Sequence, residues 1–151
     1  MRSARTWALV MNGVRARILR GLEDTDGEDQ IEIVHRAASM HLRDVLTDRA
    51  GRSFSSGSGG RRSAMEPGTD PILRDMQDFA SDICEVLEQH RKAGAFARLA
   101  ILVEPRMLGI LRARMPAPLH ESVVLERPMN LVALPEKELR ERVLDLVRNK
   151  A

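Results

Sequence analysis

Side chains able to do chemistry are concentrated in one stretch, Thr47–Pro71, which holds five glycines, five serines and four arginines. Arg49, Arg52, Arg61 and Arg62 each offer a planar fork of N–H donors that matches a phosphate. Gly57, Gly59 and Gly60 carry no Cβ and let backbone amides approach a partner closely. A loop of this make-up suits an RNA backbone, and it equally suits an idle surface loop. It is not a P-loop: Gly-Lys-Ser/Thr is missing, and no strand opens directly onto a long helix.

The other reactive groups form weaker sets. Asp75, Asp78, Asp82, Glu85 and Glu88 recur every three or four residues, which places them on one helix face. Such a face either holds a divalent metal or is a solvated face opposite an apolar stripe, and the spacing favours the second. A two-metal nuclease needs a carboxylate on the first strand. Trp7–Met11 carries none, and the next residue is Asn12. His35, His41, His90 and His120 show no metal-binding spacing, and His35 and His90 fall on apolar faces. Ser56 lacks the strand–turn–helix setting of a nucleophilic serine. Arg15 and Arg17 alternate with Val14, Ala16 and Ile18, giving a strand with one apolar face and one basic face. They are candidates to extend a basic surface around the loop. No metal site and no cofactor motif emerges.

Bulk properties narrow the classes further. Net charge is only +2, so whole-molecule electrostatics do not make this a polyanion binder. Its one cysteine, Cys84, excludes an intrachain disulfide and a cysteine-based zinc cluster. The aromatic supply is Trp7, Phe54, Phe79 and Phe96, poor for stacking bases. The apolar run Trp7–Met11 is too short for a signal peptide, and no run reaches a membrane span of about 20 residues. The expected location is the cytoplasm, with no membrane partner.

These groups need a scaffold. Thr6–Met11 reads as a strand, Asn12-Gly13 as a type I′ turn and Val14–Leu22 as a second strand. Gln30–Arg36 reads as a third, with Ile31, Ile33 and His35 on one face and Glu32, Val34 and Arg36 on the other. A helical turn is expected at His41–Thr47, followed by the loop at about 48–70. Asp70-Pro71 is a strong helix start. The helix should reach about Lys92, with an apolar stripe of Ile72, Met76, Phe79, Ile83, Val86/Leu87 and His90, and Gly94 as C-terminal cap. Leu99–Val103 reads as a strand covered on both faces. A helix from Glu104-Pro105, a strand over Glu121–Glu126 and a helix from Pro135-Glu136 complete the chain. The expectation is one α/β domain over residues 1–151, built on a mixed five-stranded sheet. Its βββαβαβα order is that of ribonuclease H-like folds and the release-factor middle domain.

Three segments together resemble the bacterial host attachment protein family. They are Trp7–Ile18, the stretch Leu46–Phe54 followed by Arg62–Pro71, and Leu102–Arg112, whose Leu-Gly-x-Leu-Arg is a family motif. The family commonly has Asp where this chain has Asn12, and Arg-His where it has Arg62-Ser63. The resemblance implies a fold related to the release-factor middle domain, which carries Gly-Gly-Gln on a long loop and promotes peptidyl-tRNA hydrolysis. Gly59-Gly60-Arg61 takes the corresponding place, with arginine for glutamine. It therefore implies ribosome or tRNA binding more than catalysis.

The leading expectation is a non-catalytic factor that binds RNA, tRNA or the ribosome through Arg49, Arg52, Gly59, Gly60, Arg61 and Arg62. The alternatives are a protein-interaction or regulatory factor in attachment, and a hydrolase of peptidyl-tRNA or of a phosphoester. Convergence of Asn12, Asp78 and Glu104 on one pocket would favour the hydrolase.

Overall fold

The computed structural model describes residues 5–23, 32–37 and 70–149. Among the described residues there are five strands: β1 (Thr6–Met11), β2 (Arg15–Leu19), β3 (Glu32–Arg36), β4 (Arg98–Val103) and β5 (Val123–Arg127). The same residues form four helices: α1 (Pro71–Lys92), α2 (Pro105–Arg114), α3 (Ala117–Glu121) and α4 (Glu136–Arg148). The sheet order is β3-β2-β1-β4-β5. β1 pairs antiparallel with β2 and parallel with β4, which makes the sheet mixed as expected. The helical turn expected at His41–Thr47 lies outside the described residues.

Alternation along the strands feeds two cores. Trp7, Leu9 and Met11, with Ala16, Ile18, Leu99, Ile101 and Val103, pack beneath α1, α2 and α3. Ala8, Val10, Leu19, Ala100 and Leu102 pack on the opposite face against Leu139 and Val143 of α4. β1 and β4 are buried on both faces, which is why Leu99–Val103 reads as an unbroken apolar run.

α1 begins and ends as its sequence dictates. Asp70 is the N-cap, its carboxylate accepting from the N–H groups of Ile72 and Leu73 at 3.0 and 3.3 Å. At the other end Ala93 is the C-cap and Gly94 follows at φ +82°. The N–H of Gly94 donates to Arg91 O, and that of Ala95 to His90 O, satisfying two terminal carbonyls. Met76, Phe79, Ile83 and Leu87 are buried, joined by Ala80 and Cys84.

Three details differ from expectation. The β1–β2 turn is centred on Gly13-Val14, because Asn12 N–H pairs with Arg15 O at 3.0 Å. The described glycines with positive φ are Gly21 and Gly94, so a type I′ turn at Asn12-Gly13 is not formed. Instead the Asn12 carboxamide accepts from Val14 and Arg15 N–H. Next, β2 stops at Leu19, because left-handed Gly21 folds Leu22 back onto Thr6 O. Last, Ala117–Glu121 forms a one-turn helix, so β5 starts at Val123.

Candidate functional site

The ring of His90, near the end of α1, lies 5.0 Å from Trp7 at the start of β1. The helix therefore runs antiparallel to β1, and its N-terminus lies at the far end, beyond Met11. The length of α1 is about 33 Å against about 20 Å for a six-residue strand. Its first fully buried residue is Met76, and Ile72 in the opening turn packs partly buried against the same core. β3 also finishes at this end, where Ala37 N–H donates to Val14 O at 2.8 Å. The chain thus leaves the described region at Ala37 and re-enters at Asp70 on one end of the molecule. That end carries the C-terminal ends of the parallel strands β1 and β4.

Several groups at this end are already occupied. The Asn12 carbonyl oxygen accepts two backbone N–H groups of its own turn. The Glu104 carboxylate caps α2 by accepting from Met107 N–H at 2.9 Å, while its own N–H donates to Met11 O. Asp78 is exposed on α1. Asn12 and Glu104 are thus spent on local structure.

Arg17, expected on a basic surface, is buried at 3% exposure. Its guanidinium forms a two-pronged pair with Glu32 across the β2–β3 ladder, Nη2 to Oε1 measuring 2.9 Å. Its Nη1 also donates to Val132 O at 2.8 Å and to Leu134 O. The reason is topological. The chain between β5 and α4 crosses this sheet face and covers Arg17, so the strand's second face is interior. Arg17 is structural and leaves the candidate surface.

Arg15 remains. Its Nε is buried without a hydrogen-bond partner. Register places Arg15 directly opposite Arg36, an exposed residue at the end of β3. Arg36 is the residue that the sequence reading did not single out. Finding it needs the β2–β3 register, which no local signal supplies.

The remaining candidates sort simply. Asp78, Asp82 and Glu85 are exposed, and Glu88 pairs with Arg91 at 2.8 Å. Among the described residues no group of three or more His, Cys, Asp and Glu side chains is placed to hold a metal ion. Trp7, Phe79 and Phe96 are buried in the core and offer no base-stacking face. Burial pushes the Cys84 thiol up to about 12, which marks an unreactive core residue. Among the described residues no helix is long and apolar enough to cross a membrane. Arg49, Arg52, Gly59, Gly60, Arg61 and Arg62 lie outside the described residues.

Fold and site together define a three-layer α/β domain with Arg15 and Arg36 side by side at the strand end where segment 38–69 departs. The chain belongs to the family described as protein required for attachment to host cells, which matches residues 7–143. No curated protein matches it.

Proposed function

We propose that this host attachment family protein is an RNA-, tRNA- or ribosome-binding factor that acts in the cytoplasm. The observation carrying this reading is that Ala37 and Asp70 bracket the Gly/Ser/Arg segment at one end of the sheet. The segment's four arginines would grip phosphates, and Gly59 and Gly60 would give backbone access. Trp7, Phe79 and Phe96 are buried, which leaves Phe54 of the segment itself as the aromatic that could stack on a base. The order of elements, three strands and then a long helix after segment 38–69, supports kinship with ribonuclease H-like folds and the release-factor middle domain. With Arg61 in the place of glutamine, the function is binding rather than peptidyl-tRNA hydrolysis.

The test is co-sedimentation with ribosomes and a tRNA binding titration at low salt. Arg61→Ala/Arg62→Ala should weaken binding by roughly tenfold and flatten its salt dependence by about one to two charges. Absence of any RNA or ribosome association by the intact protein would sink the proposal.

A second reading, a protein-interaction factor in attachment, draws on the family description and on Val34, 44% exposed on the outermost described strand. It predicts a protein partner that survives nuclease treatment. Against the hydrolase reading, Asn12 is engaged in the β1–β2 turn and Glu104 in the α2 cap.

A further inference from the structure

Arg15 and Arg36 face each other across the β2–β3 ladder. Residues directly opposite share one sheet face, with Cβ atoms about 5 Å apart, and like charges so placed repel. Two residues along the same face, Arg17 has its charge met by Glu32. Nothing comparable serves the outer pair: among the described residues neither Arg15 nor Arg36 has a carboxylate partner, and Arg15 Nε is buried with no acceptor. Leaving a buried donor unmade is unfavourable, more so on a charged group. Both costs vanish together if one oxyanion sits between the guanidiniums.

We infer that Arg15 and Arg36 form a binding site for a phosphate group, the planar forks of the two arginines clasping its oxygens. Phosphate fits better than a carboxylate because its tetrahedral oxygens can accept from two forks set side by side. The site stands on the sheet alone and does not depend on the segment invoked under Proposed function. Its phosphate comes either from an RNA backbone or from a small phosphate compound. Proximity to the segment 38–69 departure, one residue after Ala37, favours RNA as the source.

The full chain, prepared in phosphate-free buffer, is titrated with inorganic phosphate while phosphorus NMR linewidth and thermal unfolding are followed. A labelled single-stranded RNA is titrated separately. Saturating phosphate should raise the Tm by about 2–5 °C. Arg15→Gln and Arg36→Gln should each abolish that rise. Arg36 is exposed, so Arg36→Gln keeps the fold and reports even if Arg15→Gln does not. Without phosphate, Arg36→Gln should be at least as stable as the parent, because repulsion is relieved. If Arg36→Gln also weakens RNA binding about tenfold, RNA supplies the phosphate. If phosphate binding is lost but RNA binding is unchanged or absent, the site serves a small phosphate compound, and absence sinks the RNA function while sparing the site. Equal responses of parent and Arg36→Gln to both ligands overturn the inference, even if RNA binds through the loop.

Discussion

Arg17 carries its charge into the interior and is matched there by Glu32 and two carbonyls. Removing one member of a buried pair strands the other. Arg17→Ala should therefore cost about 3–5 kcal/mol, read as a lower midpoint in urea unfolding. The paired replacement Arg17→Met with Glu32→Leu should recover most of that loss. Equal instability of the single and double variants would show that the ion pair is not the source. A milder case is Glu23, at the opposite end of the sheet. Burial raises its carboxyl, but hydrogen bonds from Thr6 and Arg98 outweigh that and hold it below the ordinary value. Its contribution to stability is then complete above the unfolded carboxylate pKa and fades as pH falls through the lower folded value. Glu23→Gln should flatten the acid side of the stability profile. The effect is modest, since the group is exposed in part and solvent screens it. A profile unchanged by the substitution would contradict this.

At the scale of elements, α1 organises the molecule. Its apolar stripe fills one face of the sheet, and its two ends set the positions of Asp70 and Trp7. Gly94 lets the chain turn off the helix at φ +82°, and a Cβ placed there meets nothing within 4 Å. Gly94→Ala therefore tests backbone conformation alone. It should destabilise by about 1 kcal/mol with no change in packing. A neutral result in thermal unfolding would mean that the cap relaxes to another conformation. The N-terminal turn has the opposite character. It is only partly buried before Met76, through Ile72, and is held by the Asp70 cap.

At the scale of the whole molecule, the described residues by themselves supply a core on each face of the sheet. Replacing residues 48–69 by a Gly/Ser sequence of equal length should leave cooperative unfolding intact and remove RNA or ribosome binding. Circular dichroism melts and ribosome co-sedimentation read the two arms. Loss of cooperative unfolding would show that the segment belongs to the core. Retained binding would move the contact surface elsewhere, with the Arg15–Arg36 pair first in line.

Local chemistry settles much of this fold. The α1 boundaries follow from an N-cap aspartate, a first-turn proline and a glycine after the end, all of which act within a few residues. The place of β4 inside the sheet follows from five apolar residues in a row. The one-turn α3 escapes such reading, because five residues between two helices' worth of prolines and charges carry no period. Arg17 shows the deeper limit. Alternation alone separates two faces of β2 but cannot say that both are covered; that depends on where residues 128–135 cross, more than a hundred positions away. The same holds for Arg15 and Arg36, twenty-one residues apart in the chain and opposite one another in the sheet. Residue identity and spacing by themselves determined the helices, the strands and their apolar faces, because those rest on short-range sterics and solvation. Which arginines are buried, which are paired and which two stand together without a counter-charge among the described residues was decided only by tertiary structure, because charge is balanced between residues brought together by folding.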